Sequence, residues 1–162
     1  MKSETILTLQ NGKKLNKNKF ISYFEKKVFY TIRKYNLFEN EKKIIPDIKD
    51  LLTKNKIGGK SISHESLDDI SLQVLEIFMA KGDIKKKIKA LLPLTHTNKK
   101  IIIRPFYFMT KNEIKIYAKL KNIKLEKEKK ETLLSSWLDE FEKKHLEVKN
   151  AIVNSLLKIE EI

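Results

Sequence analysis

The densest grouping of residues able to handle protons or bind metal is Ile62–Asp69, ISHESLDD, which holds His64, Glu65, Asp68 and Asp69. A helix starting here would place both aspartates in its first turn. Carboxylates in that position can ligate magnesium or simply complement the helix dipole. Ser66 and Asp69 have the spacing of a capping box, which favours the dipole role. Just upstream, Gly58-Gly59-Lys60-Ser61 has the composition of a phosphate-binding loop. Such a loop works by following a strand and entering a helix, so that free N–H groups converge on the anion. These glycines follow a helical pattern and precede a strand-like one, so they read as an ordinary turn. His96 and His145 lack metal-ligand spacing. The chain has no cysteine, which excludes disulfides, cysteine-bound zinc and cysteine-bound iron–sulfur clusters. Nothing marks an activated nucleophile. The residue chemistry describes a basic domain with no catalytic residue, no metal site and no cofactor.

Charge points to the partner. Over 162 residues the net charge is +14, with 35% charged and 41% apolar residues, enough of the latter for a single core. An anionic partner is expected, RNA or DNA ahead of a membrane surface; the bland alternative is a solubilising lysine coat. Two clusters are candidates for RNA phosphates: Lys19, Lys26, Lys27, Arg33 and Lys34, then Lys85, Lys86, Lys87 and Lys89. No apolar run reaches the roughly 20 residues that span a bilayer. Met1–Gln10 has no signal-peptide core, so a cytoplasmic location is expected.

The elements that must position these residues are organised around Ile101–Ala118, IIIRPFYFMTKNEIKIYA. Ile101–Ile103 reads as a strand buried on both faces, ended by Arg104-Pro105. Thr110 and Glu113 form a capping box; Ile114, Tyr117 and Ala118 follow on one helical face. A first helix carries Phe20, Phe24, Val28, Ile32 and Tyr35 on its apolar side. Its aromatics, at helical spacing, read as core. Lys43–Ile45 and Lys60–Ser63 read as short strands, Leu94–Lys100 as an exposed loop, and Asn122–Glu131 as a charged, solvated connection. Gly82 reads as the C′ residue of the helix that begins after Ser66. Two helices close the chain. The fold expected is a helix-rich α/β domain over 17–162, with a small parallel sheet of two or three short strands, preceded by an arm over 1–16.

Several segments, in order, resemble the tRNA wobble-uridine 2-thiolation proteins of the N-type ATP pyrophosphatase (PP-loop) superfamily. Phe20–Leu37 is similar to that family's first helix and Ile62–Asp69 to its G-H-N-x-D-D segment. Val74–Ile84 is similar to a helix ending R-G-D-I, Ile102–Ala118 to I-x-P-L…E-x-E-I-x-x-Y-A, and Leu133–Leu156 to the closing helices with E-x-x-H at Glu142–His145. The departures are as informative. The family's zinc and catalytic cysteines are absent, as is its S-G-G-x-D-S phosphate loop, expected after Lys43–Ile45. Asp68 and Asp69 match the family's aspartates, whereas His64 matches its histidine only after a one-residue shift. The resemblance implies a truncated PP-loop-like domain lacking the second and third strands, with His64, Asp68 and Asp69 as the remnant of a nucleotide site. It implies a non-catalytic subunit of a tRNA 2-thiolation complex that binds tRNA, a catalytic paralogue, or both. The alternatives are a stand-alone basic RNA-binding protein and, third, a minimal ATP-dependent tRNA-thiolating enzyme.

Overall fold

The computed structural model describes residues 4–38 and 46–161. The chain opens with a hairpin, β1 (Leu7–Thr8) and β2 (Lys14–Leu15), turning at Asn11-Gly12. Asn16 then caps the long helix α1 (Lys17–Lys34), its side chain accepting the Lys19 N–H. Phe20, Phe24, Val28 and Ile32 are all buried, as the apolar spacing predicts. After the undescribed stretch, Asp47 caps α2 (Ile48–Thr53). Next come β3 (Lys56–Ile57), β4 (Lys60–Ile62), α3 (Leu67–Met79) and α4 (Ile84–Lys89). The chain continues with β5 (Leu94–His96), β6 (Ile101–Ile103) and α5 (Lys111–Leu120), and closes with α6 (Leu133–Lys144) and α7 (Val148–Glu160).

The α/β class and the helix-rich character are as expected, but the sheet is larger and mixed. It has four strands in the order β3-β4-β6-β5, and only the central pair, β4 and β6, is parallel. The cause is two tight reversals. Gly58 and Gly59, both at positive φ, fold β3 directly onto β4, a two-residue turn that glycine makes without steric cost. The turn at Thr97–Lys100, closed by the Thr97 N–H to the Lys100 carbonyl, folds β5 onto β6. Leu94–His96 is therefore a strand rather than an exposed loop. The strand expected at Lys43–Ile45 lies outside the described residues; the edge of β4 away from β6 is taken by β3.

Ile101–Ile103 is central, as its composition predicts, yet only Ile103 is fully buried; Ile102 lines an open cavity. Gly82 is not the C′ residue either. The cap of α3 is Ala80, so Gly82 falls two positions beyond it. The core divides into two apolar clusters. One joins Phe20, Phe24 and Val28 of α1 to Leu51, Ile103, Phe106 and Tyr117. The other joins Leu67, Ile70 and Val74 of α3 to Ile88, Tyr107, Val153 and Leu156. Phe106 and Tyr107, adjacent just past β6, serve one cluster each.

Candidate functional site

Because β4 and β6 are parallel, with Ile62 opposite Ile103, the chain leaves both at the same end of the sheet. Ser63–Ser66 emerge from β4 and lead into α3; Arg104 emerges from β6. This is where open α/β sheets bind ligands. A cavity of about 540 Å³ lies here, with Ile62, Ile102 and Ile114 on its apolar side and His64, Glu65, Asp69, Lys111 and Lys115 among its polar groups. Its remaining wall is Leu125–Lys129. The segment whose sequence reads as a solvated connection thus faces the cavity.

The chain's own cations and amides occupy the acidic cluster. Arg104, buried, donates to Glu65 Oε2 at 2.7 Å and to the carbonyls of Leu92 and Ala90 at 2.7 and 2.9 Å. Burial alone would raise the Glu65 carboxyl; hydrogen bonds from Ser63, Gln73 and Arg104 and the guanidinium charge hold it below its ordinary range. Asp69 closes the expected capping box with Ser66 and pairs with Lys111 Nζ at 3.1 Å. Burial pushes its carboxyl up, but the Ser66 and Lys111 bonds prevail and the net shift is downward. Asp68 is not the cap of its own helix. Its Oδ2 accepts the Lys111 N–H at 2.7 Å, satisfying an orphan donor at the start of α5. Its Oδ1 accepts from Lys149 Nζ at 2.5 Å. His64 Nε2 lies 2.9 Å from the Leu51 carbonyl, and its ring rests against Phe106.

Lys149 is absent from the candidates that sequence suggests. It is 3% exposed, and its ammonium contacts Asp68, Asp139 and Glu142 at 2.5, 2.5 and 2.9 Å. Burial would lower its pKa; the three carboxylates outweigh that and raise it above the ordinary lysine value. Those carboxylates have the mutual spacing of a metal-binding group, and the ammonium sits among them as their cation. A signal for it exists in the sequence. Lys149 shares the helical phase of Val153 and Leu156, and a cation at a core position requires buried partners.

The basic clusters fare differently. Lys19, Lys26, Arg33 and Lys34 are exposed along α1, but Lys27 is held by Glu113 at 3.3 Å and donates to the Tyr23 hydroxyl. Lys85, Lys86, Lys87 and Lys89 are exposed on α4. Lys87 donates to the Lys81 carbonyl, and Lys89 lies 3.7 Å from Glu160. The cavity and the two clusters occupy different elements, and nothing among the described residues joins them into one site.

The fold is similar to that of the U34-tRNA thiolase NcsA from Methanococcus maripaludis with its 4Fe–4S cluster, with a TM-score of 0.67. The match covers 97% of this chain and 84% of that one, at 15% identity. No protein-family model matches the chain, and no curated protein matches it by sequence. An iron–sulfur cluster of that type needs thiolate ligands, and this chain has none; its residues do not fit the group. Nor do the described residues form a phosphate cradle, since Gly58-Gly59 is a hairpin turn and the N-terminus of α2 is already capped by Asp47. No described helix is long and apolar enough to cross a membrane.

Proposed function

We propose that this chain is a non-catalytic relative of the tRNA wobble-uridine thiolases, acting as a tRNA-binding subunit beside a catalytic paralogue. The observation that carries the reading is internal neutralisation. In a thiolase fold, each acidic remnant at the strand ends is held by a group of the same chain: Glu65 by Arg104, Asp69 by Lys111, and Asp68 by Lys149. An active site would hold such carboxylates open for magnesium and nucleotide. The fold is kept and its chemistry is turned inward, while +14 of net charge remains for a polyanion.

The test has two readouts. Removing the protein from its native cells should lower wobble 2-thiouridine, and the tagged chain should return with tRNA or a U34 thiolase. Unchanged thiouridine would sink the subunit role and favour the second reading, a stand-alone basic RNA-binding protein, which the exposed lysines of α4 equally support. Titration with ATP and magnesium should release no heat. A micromolar site abolished by Asp68→Asn with Asp69→Asn would restore the minimal-enzyme reading.

A further inference from the structure

On α1, Lys19, Lys26 and Arg33 recur every seven residues, two helical turns or about 10.5 Å of rise. They form one exposed stripe opposite the buried Phe20, Phe24 and Val28. Tyr30 lies in the middle of that stripe, between Lys26 and Arg33. It is 59% exposed, whereas the helix's other aromatic rings are buried or packed against neighbours: Phe24 stacks on Tyr117, Tyr23 bonds Glu113, and Tyr35 stacks on Phe108. Burying the Tyr30 ring would add stability, yet it is presented to solvent with the Lys34 ammonium 5.7 Å from its centroid. The same ammonium lies 5.4 Å from the Tyr35 ring, so it draws the two tyrosines together.

The stripe carries no acid. The one carboxylate of α1, Glu25, is bonded to Tyr117 and paired with Lys121. Alongside, away from Tyr30, runs a shallow groove of about 530 Å³ lined by Ser22, Glu25, Lys26, Phe29 and Lys121, where Lys121 is paired with the Glu25 carboxylate. A row of cations with an open aromatic ring among them is the arrangement that holds single-stranded nucleic acid, the cations following the backbone and the ring taking a base. The other exposed aromatics lack this setting: Trp137 shares α6 with Asp139, Glu140 and Glu142, and Phe78 lies on α3, which carries no lysine or arginine.

We propose that Tyr30 is a base-stacking platform within the Lys19–Lys26–Arg33 stripe, so that α1 takes an unpaired stretch of RNA rather than a duplex. This rests on the RNA-binding reading above and names the kind of RNA. The two can fail separately.

The experiment is a fluorescence-anisotropy titration of the full chain with a labelled twelve-nucleotide oligouridylate and a blunt duplex of the same length, across a salt series. Tyr30→Ala should weaken oligouridylate binding about 5- to 150-fold, the range for losing one stacked base. It should leave the salt slope and duplex binding unchanged. Tyr30→Phe, which keeps the ring, should bind within about twofold of wild type by the same stacking argument. Lys26→Gln should instead flatten the oligouridylate slope by about 0.7 unit, the single-strand value for one phosphate contact. Equal oligouridylate binding by wild type and Tyr30→Ala overturns the platform while leaving RNA binding intact. So does an equal weakening on the duplex, or a Tyr30→Phe defect as large as that of Tyr30→Ala. Failure of wild type to bind either RNA overturns the underlying reading as well. Binding of polyglutamate as tight as that of oligouridylate assigns the stripe to acidic protein and overturns the proposal.

Discussion

Lys149 is where the chemistry of single residues is most consequential. Taking away its ammonium leaves Asp68, Asp139 and Glu142, whose oxygens lie within 4.8 Å of one another, without a counter-charge. Lys149→Met should therefore destabilise the fold at neutral pH by on the order of 1–2 kcal/mol, less than for a fully buried pair because Asp139 is exposed and Asp68 and Glu142 are partly so. Urea melts of variant and wild type check this; equal midpoints would mean that the ammonium contributes nothing net. The pH dependence of the wild type has a definite sign. In the wild type, Glu65 and Asp69 are depressed, so their contribution is present above the ordinary carboxylate range and lost as acid titrates them. Lys149 is raised, so its contribution is complete below the ordinary lysine pKa and lost only in strong alkali. Stability should thus hold from about pH 5 to about pH 10. Residue types alone disclose the acidic cluster but not its partners, because Arg104 and Lys149 reach it across 39 and 81 positions of chain.

Elements are legible wherever local rules decide them. The capping boxes at Ser66 and Thr110 and the apolar face of α1 are found where the spacing puts them, because a cap and its helix lie within a few residues of each other. Strand pairing is non-local, and there sequence misleads: β5 has the composition of a loop, and β3, two residues long, is too short to show a pattern. Two helix ends hold a further regularity. α1 and α5 each stop at an asparagine with positive φ, Asn36 and Asn122. In each case the residue after it, Leu37 or Ile123, donates back to the third residue before the helix cap, a Schellman closure. Both of those following residues are buried, so the turn also directs a side chain into the core. Asn122→Gly should leave the melting temperature unchanged or raise it. Asn122→Ala should cost about 1 kcal/mol, because alanine keeps the Cβ but lacks the short amide that lets asparagine adopt the left-handed region. Equal melting of the two variants would show that α5 does not end this way.

At the scale of the whole molecule, two apolar clusters and a four-stranded sheet must form together. Ile103, with no exposed surface, is the residue on which the sheet turns: Ile103→Asp should abolish cooperative unfolding, since a buried unpaired carboxylate costs more than a domain's total stability. Ile102→Asp faces the cavity and should remain folded, which near-ultraviolet dichroism would report. The proposed RNA binding is tested at this scale too. Replacing Lys85, Lys86, Lys87 and Lys89 with glutamine should reduce tRNA affinity and flatten its salt slope by about one unit for each phosphate no longer neutralised; an unchanged slope would leave α4 a solubilising coat. The α/β class can be read from the alternation of patterns, and the thiolase-like fold from the order of segments. The cavity cannot, because it is assembled from the ends of β4 and β6 and the wall at Leu125–Lys129.

The pairing of α1 with α5 has a consequence during synthesis. Tyr23 and Glu25 meet Glu113 and Tyr117 across 90 and 92 positions. A nascent chain therefore makes α1 long before its partner exists, and at about 5–20 residues per second the helix waits roughly 5–20 s. For that interval Phe20, Phe24 and Val28 lack the Phe106 and Tyr117 side of their cluster, and the emerging chain is a substrate for whatever chaperone stands at the tunnel exit.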